Sequence, residues 1–258
     1  MPKLIPISKE THSGKSWTRF DSYQFAAKDN IAPLVGAEVA KAVLAFPMAF
    51  IKQQDNFVLV AVLSLTPGQN MFVAPNGQWL GGYVPSAYRG YPFRLAKAEG
   101  NDDLILCVDE DSGLINNDPN TGEPFFDESG ETSKQVKDIL NFLGQIEQNR
   151  TVTQLAVVSL AEAGVITEWN LKIKDGDQEK PVAGLYMIDE AKLNNLEDDQ
   201  FLRLRKTGAL PIAYGQLLSM GNIVVFERLA KLHQQMSQQQ APPQDVGINL
   251  EDDDTFHF

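Results

Sequence analysis

Apolar positions follow two regimes along the chain. Before residue 132 they come in short runs broken by Gly, Pro, Asn and Asp, which is the pattern of strands and turns. Residues 48–51 and 57–65 are apolar runs around Gln53-Gln54-Asp55-Asn56 and predict a hairpin. The second run is apolar at successive positions, which places it inside a sheet covered on both faces. Residues 71–73 and 78–80 flank Asn76-Gly77, a pair that tolerates the positive φ of a tight hairpin turn. Residues 93–98 and 104–108 predict two further strands around Gly100-Asn101. The Ala/Val-rich residues 37–46 read as a helix stopped by Pro47, which lacks the N–H that a helix needs.

From residue 132 the period becomes helical. Thr132 and Gln135 have the spacing of a capping box, and Val136, Ile139, Leu140, Leu143 and Ile146 follow as a stripe. Thr151 and Gln154 repeat that start signal, predicting a second helix ended by Gly164. Residues 165–173 and 182–188 read as a hairpin around Asp175-Gly176. Residues 189–206 and 215–236 read as helices, the latter kinked near Gly221. Strands run in meanders and do not alternate with helices, so the expected class is α+β: a strand-rich antiparallel meander in the N-terminal half, a helix-rich C-terminal half and a disordered acidic tail. Residues 1–236 are expected to form a single domain with a subdivision near 128–132. Residues 237–258 read as a Gln/Pro-rich linker and an acidic-aromatic tip.

Charge sharpens this division. The 258 residues carry a formal net charge of −12. Eleven acids and no Lys or Arg lie in residues 99–131, and five acids and again no Lys or Arg lie in residues 245–258. Those stretches hold sixteen of the 34 acids, which leaves a body of 18 acids against 22 bases. Phosphate contacts need a basic face, so nucleic acid is disfavoured as a partner. Residues 1–17 contain no apolar core of a signal peptide. Residues 56–88 and 210–226 are uncharged but interrupted by polar, Gly or Pro residues, so neither reads as a membrane span. The expected location is cytoplasmic.

Conventional catalytic signatures do not assemble. Gly14-Lys15-Ser16 lacks the glycine of a phosphate loop, because Lys9 stands in its place. The three histidines, His12, His233 and His257, form no ligand pair, and Cys107 is the only cysteine and reads as a buried apolar residue. No catalytic residue, cofactor or transition-metal site is therefore expected, and the enzyme question stays open, with a non-enzymatic role favoured. Asn116, Asp118, Asn120 and Asp127 approach a calcium-loop spacing, but Thr121 occupies the required glycine position; calcium is kept as a weak candidate.

Two segments offer binding chemistry. The first is the aromatic and arginine-rich stretch containing Tyr83, Tyr88, Arg89, Tyr91 and Arg94. With Asp109 and Asp111 it forms a candidate ligand cleft, since rings and guanidinium forks suit a carboxylate or peptide. In the structural alternative the rings are core, and Arg89 and Arg94 pair with Asp109, Glu110 or Asp111. The second segment is the tail, where Asp252, Asp253 and Asp254 would steer and Phe256 and Phe258 would anchor on a protein or peptide partner. The long acidic loop after residue 108 carries a hydrophobic island, Pro124-Phe125-Phe126, expected to dock back.

These stretches together resemble the SapC family. The resemblance is carried by Ile5-Pro6-Ile7-Ser8, His12 and Trp17, by residues 72–85 and 89–94, by residues 106–113, and by Leu210-Pro211-Ile212-Ala213-Tyr214 with Leu217-Leu218-Ser219-Met220. An acidic tail ending in phenylalanine is also typical of that family. The resemblance implies a bacterial accessory protein linked to surface-layer or TonB-dependent nutrient-uptake systems, and it supplies no catalytic residue. The alternative is an enzyme or small-molecule binder using the same aromatic-arginine cleft.

Overall fold

The computed structural model describes residues 3–98, 100, 103–175 and 178–240. The tail segment with Asp252, Asp253, Asp254, Phe256 and Phe258 lies outside the described residues, as does Gly176 of the expected turn.

A five-stranded antiparallel sheet organises the main core. Its order is Ile166–Glu168, Leu185–Ile188, Met48–Gln53, Asn56–Val62 and Ile31–Pro33. The expected hairpin is present: Gln53 opposes Asn56, and Gln54 takes the turn's positive φ of 53°. Consecutive apolar residues in Asn56–Val62 are explained by burial on both sides. Leu59 and Ala61 join Met48 and Phe50 against the helices, while Val60 and Val62 join Ala49, Leu185 and Trp169 on the other face.

A second, smaller sheet pairs Leu104–Asp109 with Phe93–Lys97 on one side and with the N-terminal strand Leu4–Pro6 on the other. That N-terminal strand has no hairpin turn beside it and was not legible in the sequence. Asp109 and Glu110 help hold it, because the Lys3 N–H donates to Asp109 Oδ1 at 3.0 Å and the Lys3 ammonium reaches Glu110 at 3.1 Å.

The acidic loop does dock back. Ser16–Trp17 pairs with both Ile115–Asn116 and Glu123–Pro124, making a miniature sheet. Phe125 is fully buried and packs in a cluster with Trp17, Phe93, Val108 and Val136. Cys107 is buried, as expected.

The helical half departs from expectation in one informative way. A single helix, Lys134–Glu162, replaces the two read from the repeated start signal. Its cap is Ser133, whose hydroxyl accepts from the Val136 N–H. Thr151 does not cap anything; its hydroxyl bonds back to Glu147 O at 3.2 Å, a pattern that threonine uses within a helix. Residues 189–206 divide into Glu190–Asn194 and Asp198–Lys206. The expected helix at 37–46 is shorter, a 3-10 turn Gly36–Glu38 followed by Val39–Ala42. Near Gly221 the expected kink appears as a 3-10 segment, Met220–Val224, between helices Ala209–Ser219 and Val225–Gln240. Asn222 stabilises it by donating to Val43 O and Phe46 O at 2.7 and 2.9 Å.

The stretch Ala209–Gln238 is long and apolar enough to cross a membrane, by length and composition alone. Here it supplies the sheet with polar bonds. Fully buried Gln216 donates to Met48 O and accepts from the Ile188 N–H, and the Ser219 hydroxyl accepts from the Met48 N–H. These side chains satisfy strand groups that burial would otherwise leave unpaired.

Candidate functional site

The aromatic-arginine stretch begins as a tight turn and a four-residue helix, Ser86–Arg89. Its position is set by a buried carboxylate that the sequence reading passed over. Glu38 is only 5% exposed. Its Oε1 accepts from the Tyr83 hydroxyl at 2.9 Å and the Ser86 N–H at 2.7 Å; its Oε2 accepts from the Ser86 hydroxyl at 2.7 Å and the Val35 N–H at 3.1 Å. A buried charge persists only when so bonded.

Arg89 completes the arrangement. Its guanidinium lies 4.8 Å above the Tyr83 ring, donates twice to Val84 O, and stands 3.9 Å from Glu38. Arg89 therefore pairs with Glu38 and not with the acidic loop, which corrects the structural alternative read from the sequence. The carboxylates of that loop have other partners. Asp109 caps the turn Glu110–Ser112 by accepting from the Asp111 N–H, and Glu110 binds Lys15 at 2.9 Å as well as Lys3. Asp111 is exposed.

Burial, together with Glu38, pushes the Tyr83 phenol up to about 12. Tyr88 is also pushed up, first by burial and then by Asp29, to which its hydroxyl donates at 3.0 Å. Burial raises Tyr91 too, and Asp109 adds to the rise. All three phenols are held protonated at neutral pH and do not serve as bases.

Beside Arg89 opens a cleft of about 470 Å³. Its aromatic wall is made by Trp17, Phe20, Tyr23 and Tyr91, with Phe142 across from the long helix. The wall is braced from behind: Tyr91 stacks on Phe25 at 3.8 Å, and Phe20 meets Tyr23 and Phe25 edge-on at 5.2 Å each. Gln135, Asp138 and Ile139 of the long helix complete the lining. That helix comes very close to the turn. A Cβ on Gly90 would stand 2.6 Å from a Leu143 methyl, so only glycine fits there without displacement.

Arg19 and Arg89 are the two cations of the cleft. They differ in freedom. Arg89 is held as described, whereas Arg19 is exposed and has no hydrogen-bond or ion-pair partner among the described residues. The sequence-derived site is thus divided: Arg89 and Tyr91 line this cleft, while Tyr83 and Tyr88 support it from within. Arg94, with Tyr88, lines a separate groove of about 620 Å³ between the sheet and the long helix. Asp109 and Asp111 line neither.

A family model, SapC, matches residues 7–225 of the chain. The chain belongs to the SapC family. No curated protein and no solved structure matches it. The SapC match spans both the buried Glu38 network and the cleft, and stops before the tail. Among the described residues of this SapC chain, no three His, Cys, Asp or Glu side chains come together to hold a metal ion. The residues of the calcium-like spacing serve their own turns: Asp118 accepts from the Asn120 N–H, and Asp127 from the N–H groups of Ser129 and Glu131.

Sequence reading missed Glu38, Arg19, Phe20, Tyr23 and the helix residues facing them. One signal was available: Glu38 is the lone acid in residues 31–46, where Lys41 is the only other charged residue. Arg19, by contrast, joins the cleft only through the tertiary fold.

His12 gives the acidic-loop region a pH dependence. Its ring is fully buried, 4.8 Å from Phe125, with Nε2 unbonded and 3.9 Å from Glu110. Burial, aided by Lys15, holds its pKa below the usual 6.5, against the opposing pull of Glu110. The unfolded chain thus takes up the proton more readily than the folded one. The stability that neutral His12 contributes is full above pH 6.5 and is lost as pH falls through the depressed pKa. Melting temperatures between pH 7.5 and 5 should fall less steeply for His12→Gln than for the wild type; parallel curves would show that His12 is not the titrating group.

Proposed function

We propose that this SapC-family chain is a non-enzymatic accessory protein that captures a protein or peptide segment in the aromatic-arginine cleft. The segment recognised would carry carboxylates next to aromatic rings. The observation that carries this reading is the exposed Arg19, unpartnered among the described residues, in a cleft that also holds the fixed Arg89 and a wall of rings. A carboxylate gives Arg19 the charge-assisted bidentate bond it lacks, and rings on the ligand stack on Phe20, Tyr23 or Tyr91. The cleft volume lies in the range of ligand sites. Its nearby phenols are held protonated, and the Cys107 thiol is pushed up by burial, so these groups favour binding over nucleophilic chemistry. The resemblance to SapC proteins adds the setting, an accessory role in bacterial surface-layer or TonB-dependent uptake systems.

A synthetic hexapeptide alternating aspartate and phenylalanine is the simplest probe. It should bind the full chain in a fluorescence anisotropy titration, and Arg19→Ala should weaken binding about ten-fold or more, the size of one charge-assisted hydrogen bond. Because Arg19 has no partner to lose among the described residues, the melting temperature should stay within about 1 °C. No binding, or equal binding by Arg19→Ala, would remove the basis for the reading.

A further inference from the structure

We propose that the face built by helix Ala209–Ser219, the 3-10 segment Met220–Val224 and the turn after Val39–Ala42 rests on the surface of an anionic phospholipid bilayer. The helix buries Ile212, Ala213, Gln216 and Ser219. Its outer stripe is Pro211, Tyr214 and Leu218, continued by Gly221, at the three- and four-residue spacing of one helix face. The outer face of a helix in water normally carries charged or polar residues. Here no charged residue lies between Lys206 and Glu227, and the stripe is mostly apolar.

The fold adds to that stripe. Leu44 is 83% exposed, Leu218 75%, Val224 65% and Tyr214 41%. Asn222, one turn beyond Leu218, donates to Val43 O and so brings Leu44 to the same face. Leu44 and Val224 then line one pocket. Single exposed leucines are ordinary, but large apolar side chains gathered on one face mark an interaction surface. Side chains as exposed as Leu44 and Leu218 project outward, a shape for insertion into a soft phase.

Charge identifies the occupant. In a chain of net charge −12, residues 200–240 hold five Lys or Arg against the single acid Glu227. Arg228 lines the pocket that Leu44 and Val224 share with Gly81 and Gly82; it measures about 320 Å³ and no carboxylate lines it. A side chain on Gly82 would meet nothing within 4 Å, so there is open space beside the guanidinium for a phosphate. Lys41, one turn before Leu44, is also exposed. Neither Lys41 nor Arg228 has an ion-pair partner among the described residues. Projecting leucines between free cations match the boundary of acyl chains and anionic headgroups. A second copy fits worse, because two-fold pairing of this face sets Lys41 and Arg228 against the same cations.

The face binds while folded and does not leave the body to span the bilayer. Gln216 and Ser219 are bonded to Met48 and Ile188 of the central sheet, and pulling the helix away would strand those polar groups. Only 33% of the apolar window within Ala209–Gln238 is buried, so most of it is available to lie on an interface. The pocket beside this face shares no lining residue with the aromatic-arginine cleft, so the two sites can be occupied together, and the proposal stands independently of the cleft reading.

The test is co-sedimentation of the full chain with vesicles of phosphatidylcholine alone or with about one-third phosphatidylglycerol. The wild type should bind the mixed vesicles at least about ten-fold more tightly than the neutral ones, and high salt should remove most of that difference. Leu44→Ser with Leu218→Ser should weaken binding to mixed vesicles at least about ten-fold. Lys41→Gln with Arg228→Gln should also weaken it about ten-fold and leave little preference between the two compositions. Both double variants should melt within about 2 °C of the wild type, since all four side chains are exposed. Failure of the wild type to bind mixed vesicles at low salt would overturn the proposal, as would unchanged binding by either double variant. Lipid-free dimerisation in sedimentation velocity, lost with Leu44→Ser and Leu218→Ser, would overturn it in favour of a second copy.

Discussion

Replacing Glu38 by alanine should cost about 3–5 kcal/mol of folding stability and lower the melting temperature by roughly 10 °C. The carboxylate is the shared acceptor for donors from two distant parts of the chain. Removing it leaves the Val35 and Ser86 N–H groups and the Ser86 and Tyr83 hydroxyls without their acceptor. A buried unpaired donor costs about 1–3 kcal/mol, and these losses are less than additive because water can enter the space left behind. Glu38→Gln keeps the shape but turns an amide NH₂ toward one set of donors, so it should cost about half as much. Equilibrium urea unfolding of both variants checks the order. A Glu38→Ala protein within about 1 kcal/mol of the wild type would show that the four bonds do not brace the turn. The same substitution should loosen Arg89, which then loses its anion while keeping its bonds to Val84.

Phe125→Ala should have an effect of similar size in a different place. A fully buried phenylalanine reduced to alanine typically costs 3–5 kcal/mol, from lost burial and the cavity left behind. The loss should first appear as local opening, since Phe125 is the plug that holds an acidic, otherwise solvated loop on the body. Its ring contacts His12 and Phe93, and its carbonyl accepts from the Ser133 N–H at the cap of the long helix. Cleavage by a glutamate-specific protease at Glu123, Glu128 and Glu131 should accelerate by at least about ten-fold, while the central sheet keeps its amide-exchange protection. Unchanged cleavage would mean that strand pairing with Ser16–Trp17 holds the loop without the ring.

Local patterns in the sequence were good guides wherever a side chain's own neighbours decide its conformation. The hairpin at Gln53-Gln54-Asp55-Asn56, the stop at Gly164, the irregularity near Gly221 and the hydrophobic island at Phe125 were all legible for that reason. The failures have physical causes. Thr151 has the same side-chain chemistry whether it caps a helix or bonds back inside one, so the start signal could not reveal that the helix continues. The strand Leu4–Pro6 pairs with residues about a hundred positions away, where no local pattern can point. The candidate site was half legible. Arg89 and Tyr91 were identified by composition, but the partner of Arg89 is Glu38, some fifty residues earlier, whereas Asp109 and Glu110 are occupied by Lys3, Lys15 and a backbone donor. A dense run of charge is a poor guide to pairing when lysines brought in by the fold and local turns can satisfy it.

The long helix Lys134–Glu162 has a consequence for how this fold can change over time. Its first turns line the cleft and pack on the Phe125 cluster, while Ala156, Val157 and Leu160 are inserted in the main core. About two-thirds of the way along it Thr153 accepts a bond from the Gly36 N–H, two residues from Glu38. One rod thus sets the angular phase between two cores. Each residue inserted or deleted between Leu143 and Thr153 turns one end against the other by about 100°. Length variation in this helix is therefore confined to steps near whole numbers of turns, such as seven or eleven residues, whereas the surface loops that meet it are free to drift one residue at a time.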